Sequence, residues 1–270
     1  MSGIELRVNK LFNQKRNLVI SALDHVMEYG YQQGIEDEEK AIRNCLATDA
    51  LLVPRYMLKR HSDLFALPGA PMPVVRINWT SSFYYPLDYQ GGFTTIATTI
   101  EEAVEAGAEM AICSLFLENK NEEMETENVR IFSEVARQKE RLGIPLIGEC
   151  YVVEHAELST DELHEKVLRV TGAMEQLGAD LIKCFYTGDR FAEITENLSI
   201  PAFTIGAEKL KNDLDVLKKA DDSVRRGARG IIFGRNIFMA EDPQKITDAL
   251  NDVINNGVSP EDAAAKYDLK

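Results

Sequence analysis

A lysine that interrupts an apolar run is the residue in this chain best suited to chemistry. Lys183 stands within Leu181-Ile182-Lys183-Cys184-Phe185-Tyr186. A lysine facing a protein interior is desolvated, which favours the neutral amine and frees it to attack a carbonyl carbon. The plainer alternative is a side chain that snorkels to the strand edge or pairs with a carboxylate. Lysine is nonetheless among the residues least often buried without a partner. Asp24, at the end of Ala22-Leu23-Asp24, could relay a proton or stabilise an iminium, or could simply cap a helix. Its neighbour His25 points elsewhere by alternation and suits a supporting role. Glu149 and Tyr151 lie two apart in Pro145–Tyr151 and so share a face. A carboxylate inside a fold needs a partner, and Lys183 is the obvious one. The Tyr151 hydroxyl could serve as an acid or base near a cation, or could be a packed ring with a satisfied hydroxyl.

Eight short apolar runs must position these residues: Asn17–Asp24, Ala50–Arg55, Pro73–Trp79, Met110–Phe116, Pro145–Tyr151, Asp180–Tyr186, Pro201–Gly206 and Gly230–Arg235. Near-continuous apolar strands suit a sheet covered on both faces. Amphipathic segments lie between them. Thr126–Leu142 and Asp161–Leu177 carry helical periodicity, and each stops at a glycine, Gly143 or Gly178. Ser159-Thr160-Asp161-Glu162 supplies caps and early acids for the second of these. Asn212–Gly227 and Asp242–Gly257 repeat the arrangement, with Pro243 in the first turn of the latter. A repeated unit of about 30 residues predicts an α/β fold, a (β/α)₈ TIM barrel of one domain over residues 1–270. Residues 81–99, rich in aromatics and glycine, read as a long loop after the third strand.

In such a barrel the site lies at the C-terminal ends of the strands. The polar residues there are Asp24, His25, Arg55, Asn78, Glu149, Tyr151, Lys183 and Arg235. A phosphate site is commonly built after strands seven and eight from backbone N–H groups and a helix N-terminus. Gly206-Ala207-Glu208-Lys209 and Gly234-Arg235-Asn236 occupy those places. Arg235 there offers a charged fork for an oxyanion.

The net charge of −14 argues against general affinity for nucleic acid or anionic membranes. No apolar stretch reaches the roughly 18 residues of a membrane span, and residues 1–14 have no apolar signal core. A cytoplasmic protein is expected. Cys45, Cys113, Cys150 and Cys184 form no CxxC pair and read as buried free thiols. Cys150 and Cys184 draw notice because they adjoin Glu149 and Lys183. No His/Asp/Glu grouping has metal-ligand spacing, so neither metal nor cofactor is expected and EDTA should leave activity unchanged.

Taken together, these residues resemble the archaeal-type class I fructose-bisphosphate aldolase group of the DeoC/LacD aldolase superfamily. Asp24-His25-Val26-Met27-Glu28-Tyr29-Gly30 is similar to that group's Asp-His-Gly-x-Glu-His-Gly stretch. Gly178-Ala179-Asp180-Leu181-Ile182-Lys183 with Tyr186-Thr187-Gly188-Asp189 resembles its Schiff-base segment. Gly234-Arg235-Asn236-Ile237-Phe238 with Asp242-Pro243 resembles its signature after strand eight. The resemblance implies a Lys183 iminium with a ketose donor, proton transfer at Tyr151 and assistance from Asp24. It also implies a phosphate held by Arg235 and the Gly206 loop, and a homo-oligomer. Three departures bear on the substrate. Gly206-Ala207 stands where the family has Gly-Gly, followed by the acid Glu208. Val152-Val153-Glu154 replaces Pro-Arg-Gly after the tyrosine, and Glu149 replaces an apolar residue. The expected substrate is therefore a sugar or sugar phosphate of open identity. An aminoheptulosonate synthase or an acyl-transferring thiolase on the same scaffold is the alternative, with a non-catalytic sugar-phosphate binder beyond them.

Overall fold

A computed structural model describes residues 2–13, 15–81 and 92–269. Eight parallel strands close into a barrel in the order β1-β10-β9-β8-β7-β6-β3-β2. They are β1 (Leu18–Ala22), β2 (Ala50–Val53), β3 (Met72–Arg76), β6 (Met110–Leu115), β7 (Leu146–Cys150), β8 (Leu181–Cys184), β9 (Ala202–Ile205) and β10 (Gly230–Phe233). Two short strands, β4 (Asn78–Thr80) and β5 (Thr94–Ile96), form a separate antiparallel pair. The expected (β/α)₈ architecture is the one observed, with helical segments following every barrel strand. Among the described residues no helix is long and apolar enough to cross a membrane.

The third predicted strand is shorter than expected. Pro73–Trp79 divides at Ile77, whose N–H donates to Ile112 while its carbonyl accepts from both Ala97 and Thr98. The chain leaves the barrel there and pairs Asn78 with Ile96. The two ends of the predicted 81–99 loop are therefore tied: β5 belongs to a hairpin, and Thr99 opens the next helix, α6 (Ile100–Glu105), with a capping box to Glu102. Residues 82–91 of that loop lie outside the described residues. The helix expected at Thr126 begins a turn earlier, as α7 (Glu122–Leu142), capped by Asn121. Its first turn carries Glu122, Glu123 and Glu125, which apolar periodicity overlooks but the positive end of a helix favours. The helix α8 (Thr160–Gln176) starts at the expected Ser159 capping box.

Side chains alternate strictly between the barrel interior and the helical shell. Inside lie Leu18, Ile20, Leu52, Val74, Ile112, Ile147, Leu181, Phe203 and Ile232, all buried. The helix α1 (Gly3–Phe12) adds Leu11 to this cluster, and its Phe12 ring lies 6.3 Å from that of Phe203. One further step of two along β3, β6, β7 and β8 changes the chemistry. Val74 gives way to Arg76, Ile112 to Ser114, Ile147 to Glu149 and Leu181 to Lys183. The hydrocarbon filling of the barrel is thus topped by a layer of ionic and polar side chains at the C-terminal end.

Candidate active site

Strand register places this polar layer side by side. Ser114 is the Cα partner of Glu149, and Glu149 of Lys183. Lys183 is 7% exposed, and its Nζ lies 2.5 Å from Glu149 Oε1. The pairing expected from sequence is therefore present. The other oxygen of Glu149 accepts from Arg76 Nη1 at 2.6 Å and from the Ser114 hydroxyl. Burial alone would push the Glu149 carboxyl up, but Arg76 and Lys183 outweigh it and hold the group well below the usual carboxylate range. Both oxygens are engaged by the protein, so Glu149 serves as an anchor more readily than as a contact offered to a ligand.

Arg76 was not among the residues singled out from sequence, yet it organises the site. It is 1% exposed. Its Nε donates to Asp24 Oδ2 at 2.8 Å, its Nη2 lies 2.6 Å from the same oxygen, and its Nη1 reaches both Ser114 and Glu149. The signal was available: Arg76 interrupts Pro73-Val74-Val75 as Lys183 interrupts its own run. Glu28 was also missed. It is buried 3.6 Å from Arg76 Nη2, and its Oε1 has no hydrogen-bond partner among the described residues.

Burial, reinforced by Asp24, pushes the Glu28 carboxyl well above its ordinary value, with Arg76 offsetting only part of the rise. Above the ordinary carboxyl range the native state therefore holds a proton that the unfolded chain releases. Stability from this group is complete at acid pH and declines as pH rises toward the folded value. Glu28→Gln, a neutral near-isostere, should raise the melting temperature, by a margin that widens from pH 5 to pH 8. Thermal unfolding across that range checks it, and a margin that stays constant would count against a protonated Glu28.

Nine of the residues expected at the site line one cleft at the C-terminal end of the barrel: Asp24, His25, Glu149, Tyr151, Lys183, Gly206, Ala207, Gly234 and Arg235. Glu28, Tyr29, Arg76 and His155 join them. Burial, partly countered by Asp24, lowers the His25 pKa to about 4, so its ring is neutral at pH 7. That ring rests against Gly234, where a Cβ would come within 2.3 Å of Cε1. The Tyr151 ring packs 5.3 Å from Phe185 and edge-on to His155 at 5.8 Å. Arg55 and Asn78 fall elsewhere. Arg55 pairs with Glu102 at 2.6 Å, and Asn78 exchanges two hydrogen bonds with the Ser114 backbone, bracing that residue from outside.

The loop after β9 is held from the start of α11 (Arg235–Phe238). Asn236, fully buried, donates to the carbonyls of Gly206 and Glu208 and accepts from the N–H of Leu210. Arg235 Nη2 donates to the Ala207 carbonyl at 2.8 Å. Ala207 holds φ at +57°, a left-handed conformation that costs a residue with a Cβ about 1–2 kcal/mol. Glu208, which sequence placed beside a bound phosphate, is exposed and does not line the cleft.

The cysteines alternate with the polar layer and so face away from it. Cys113, Cys150 and Cys184 lie in the shell between strands and helices. All four thiols are free and buried. Burial pushes Cys45 up to about 11 and Cys113 and Cys184 up to about 12. The two that adjoin Glu149 and Lys183 are packing residues. Among the described residues no group of three His, Cys, Asp or Glu is placed to hold a metal ion.

The closed parallel barrel thus carries a buried lysine at the C-terminal end of its strands, where barrel active sites lie. Residues 18–240 match the DeoC/LacD family of aldolases. The chain belongs to that family, and with it to the carbon–carbon lyases. It is 30% identical over 264 residues to an uncharacterized aldolase of Saccharolobus solfataricus, covering 94% of this chain and 95% of the relative. It is also similar to a 2-amino-3,7-dideoxy-D-threo-hept-6-ulosonate synthase of Archaeoglobus fulgidus, at 24% identity over 97% of this chain and 95% of that one. An archaeal fructose 1,6-bisphosphate aldolase shares the fold with a TM-score of 0.79 at 21% identity, over 93% of this chain and 98% of the other.

Proposed function

We propose that this chain is a metal-independent Schiff-base aldolase that cleaves and forms a ketose or ketose phosphate through an iminium on Lys183. The observation that carries the reading is the buried Nζ of Lys183, facing the cleft and fixed at 2.5 Å by Glu149. The free amine adds to the donor carbonyl, water leaves, and the protonated imine draws electrons from the adjacent carbon–carbon bond. The enamine left behind is stabilised, which an unactivated ketone could not achieve. Tyr151 and Asp24, on opposite sides of the cleft, are the proton-transfer groups. Arg235 and the backbone of Gly206, Ala207 and Gly234 hold a phosphate.

Electrostatics support an anionic substrate. Arg76, Lys183 and Arg235 face the ion-paired carboxylates Asp24 and Glu149, burial raises the Glu28 carboxyl well above its ordinary value, and His25 is neutral at pH 7. Three basic side chains thus gather in one cleft of a protein of net charge −14. The resemblance to aminoheptulosonate synthases supports transfer of the enamine to an aldehyde as the alternative outcome of the same first steps.

Borohydride reduction in the presence of dihydroxyacetone or its phosphate, followed by peptide mapping, tests the reading. A reduced adduct at Lys183 is expected, and its absence with every ketose and triose donor would sink the proposal. Tyr151→Phe should retain the adduct while slowing turnover about 10²–10⁴-fold. Unchanged turnover in that variant would remove Tyr151 from the proton-transfer role.

A further inference from the structure

We propose that Arg76 is a positioning residue for the Lys183 reaction, acting through Glu149 and Asp24 without touching a reacting atom. The proposal rests on the Schiff-base reading of Lys183. A continuous set of hydrogen bonds runs Asp24–Arg76–Glu149–Lys183, with Ser114 bridging Arg76 and Glu149. One guanidinium therefore joins the end of β1, β3 and β7, and through Glu149 reaches the amine on β8.

Its necessity follows from what Glu149 would do alone. A carboxylate 2.5 Å from an amine favours the ammonium, and an ammonium cannot attack a carbonyl. Arg76 on the second oxygen of Glu149, at 2.6 Å, shares that negative charge and adds a positive one of its own nearby. Glu149 is then held on one oxygen by Arg76 while the other fixes the position of Nζ. The planar fork of arginine can serve two carboxylates and a hydroxyl at once, which a lysine at this position could not. The other ionisable groups facing this cluster are Asp24, His25, Glu28 and Tyr29 from the β1 end, Tyr151 and His155 after β7, and Arg235 after β10. None of these is substituted in the variants below; because Arg76 also contacts Asp24 and lies near Glu28, the opposite shifts of Arg76→Met and Glu149→Gln together report the Arg76–Glu149 pair.

The experiment is borohydride trapping with dihydroxyacetone, followed across pH in the wild type, Arg76→Met, Arg76→Lys and Glu149→Gln. In Arg76→Met the midpoint of the pH profile should rise by about one unit, with trapping at pH 7 about tenfold slower. Glu149→Gln should move the midpoint the opposite way. Arg76→Lys should recover most of the midpoint while turnover stays depressed, since charge is restored and the fork is not. A wild-type midpoint in Arg76→Met or in Glu149→Gln overturns the proposal. If Arg76→Met fails to fold, as loss of a buried cation can cause, Glu149→Gln and Arg76→Lys decide the matter. An adduct in the wild type with unmoved midpoints in the variants defeats the positioning role alone. No adduct at Lys183 in the wild type defeats both this proposal and the aldolase mechanism beneath it.

Discussion

Lys183→Met should abolish the borohydride-trapped adduct with every donor and lower carbon–carbon cleavage by roughly 10⁴-fold or more, because covalent catalysis disappears with its nucleophile. The variant should fold. Methionine keeps the length of the side chain, and Glu149, relieved of Lys183, still has Arg76 and Ser114 on its other oxygen. Circular dichroism and a melting curve close to wild type, measured with the activity loss, separate chemistry from collapse. Residual turnover within tenfold of wild type would mean that another amine or a bound group does the work. Lys219 is the amine to examine in that event. Burial lowers its pKa to about 8, yet its Nζ donates to the Gly206 carbonyl behind the loop that follows β9 and does not line the cleft.

The largest effect on stability is expected from Gly230→Ala. Gly230 opens β10 and is the register partner of Leu18, where the last strand meets the first and the barrel closes. Its φ is +129°, outside the regions open to a residue with a Cβ. A methyl there would come within 2.0 Å of the Leu18 carbonyl oxygen and 2.6 Å of its amide nitrogen. Both neighbours are backbone in a closed sheet and cannot yield cheaply. Strain and overpacking of this kind cost about 1–3 kcal/mol each, so a loss of about 2–6 kcal/mol is expected. Chemical denaturation measures it, and a loss below about 1 kcal/mol would show that the seam between β1 and β10 can open to accommodate the methyl.

The architecture was legible in the sequence because both of its periods are strong. Apolar runs buried on two faces mark the strands, and glycine stops mark the helices, so barrel boundaries fall within a few residues of expectation. The polar layer was legible only in part. Lys183 and Glu149 stand out as charges in apolar runs, and Tyr151 follows from spacing. Arg76 escaped because its strand was read through to Trp79, which put Asn78 rather than Arg76 at the strand end. Where a strand stops depends on the Ile77 hydrogen bonds to Ile112, Ala97 and Thr98, which are long-range and leave no local mark. The raised pKa of Glu28 and the neutrality of His25 were beyond reach for a similar reason. Both are set first by burial, which the assembled barrel supplies and no local pattern records. The outward direction of Cys150 and Cys184 could have been read from alternation with Glu149 and Lys183.

The sharing of one guanidinium among carboxyl groups from separate strands has a consequence for how such a sequence can vary. Asp24, Glu149 and Lys183 each neutralise a charge that another part of the fold supplies. Changing Arg76 or Glu149 alone strands an unmatched charge in the barrel, a penalty that a second, compensating change removes. Neutral drift one residue at a time is therefore closed to this layer, while the surrounding surface remains free to wander. Arg76 and Glu149 form an epistatic unit, to be gained or lost together, and relatives that lack the acid should have replaced the arginine as well.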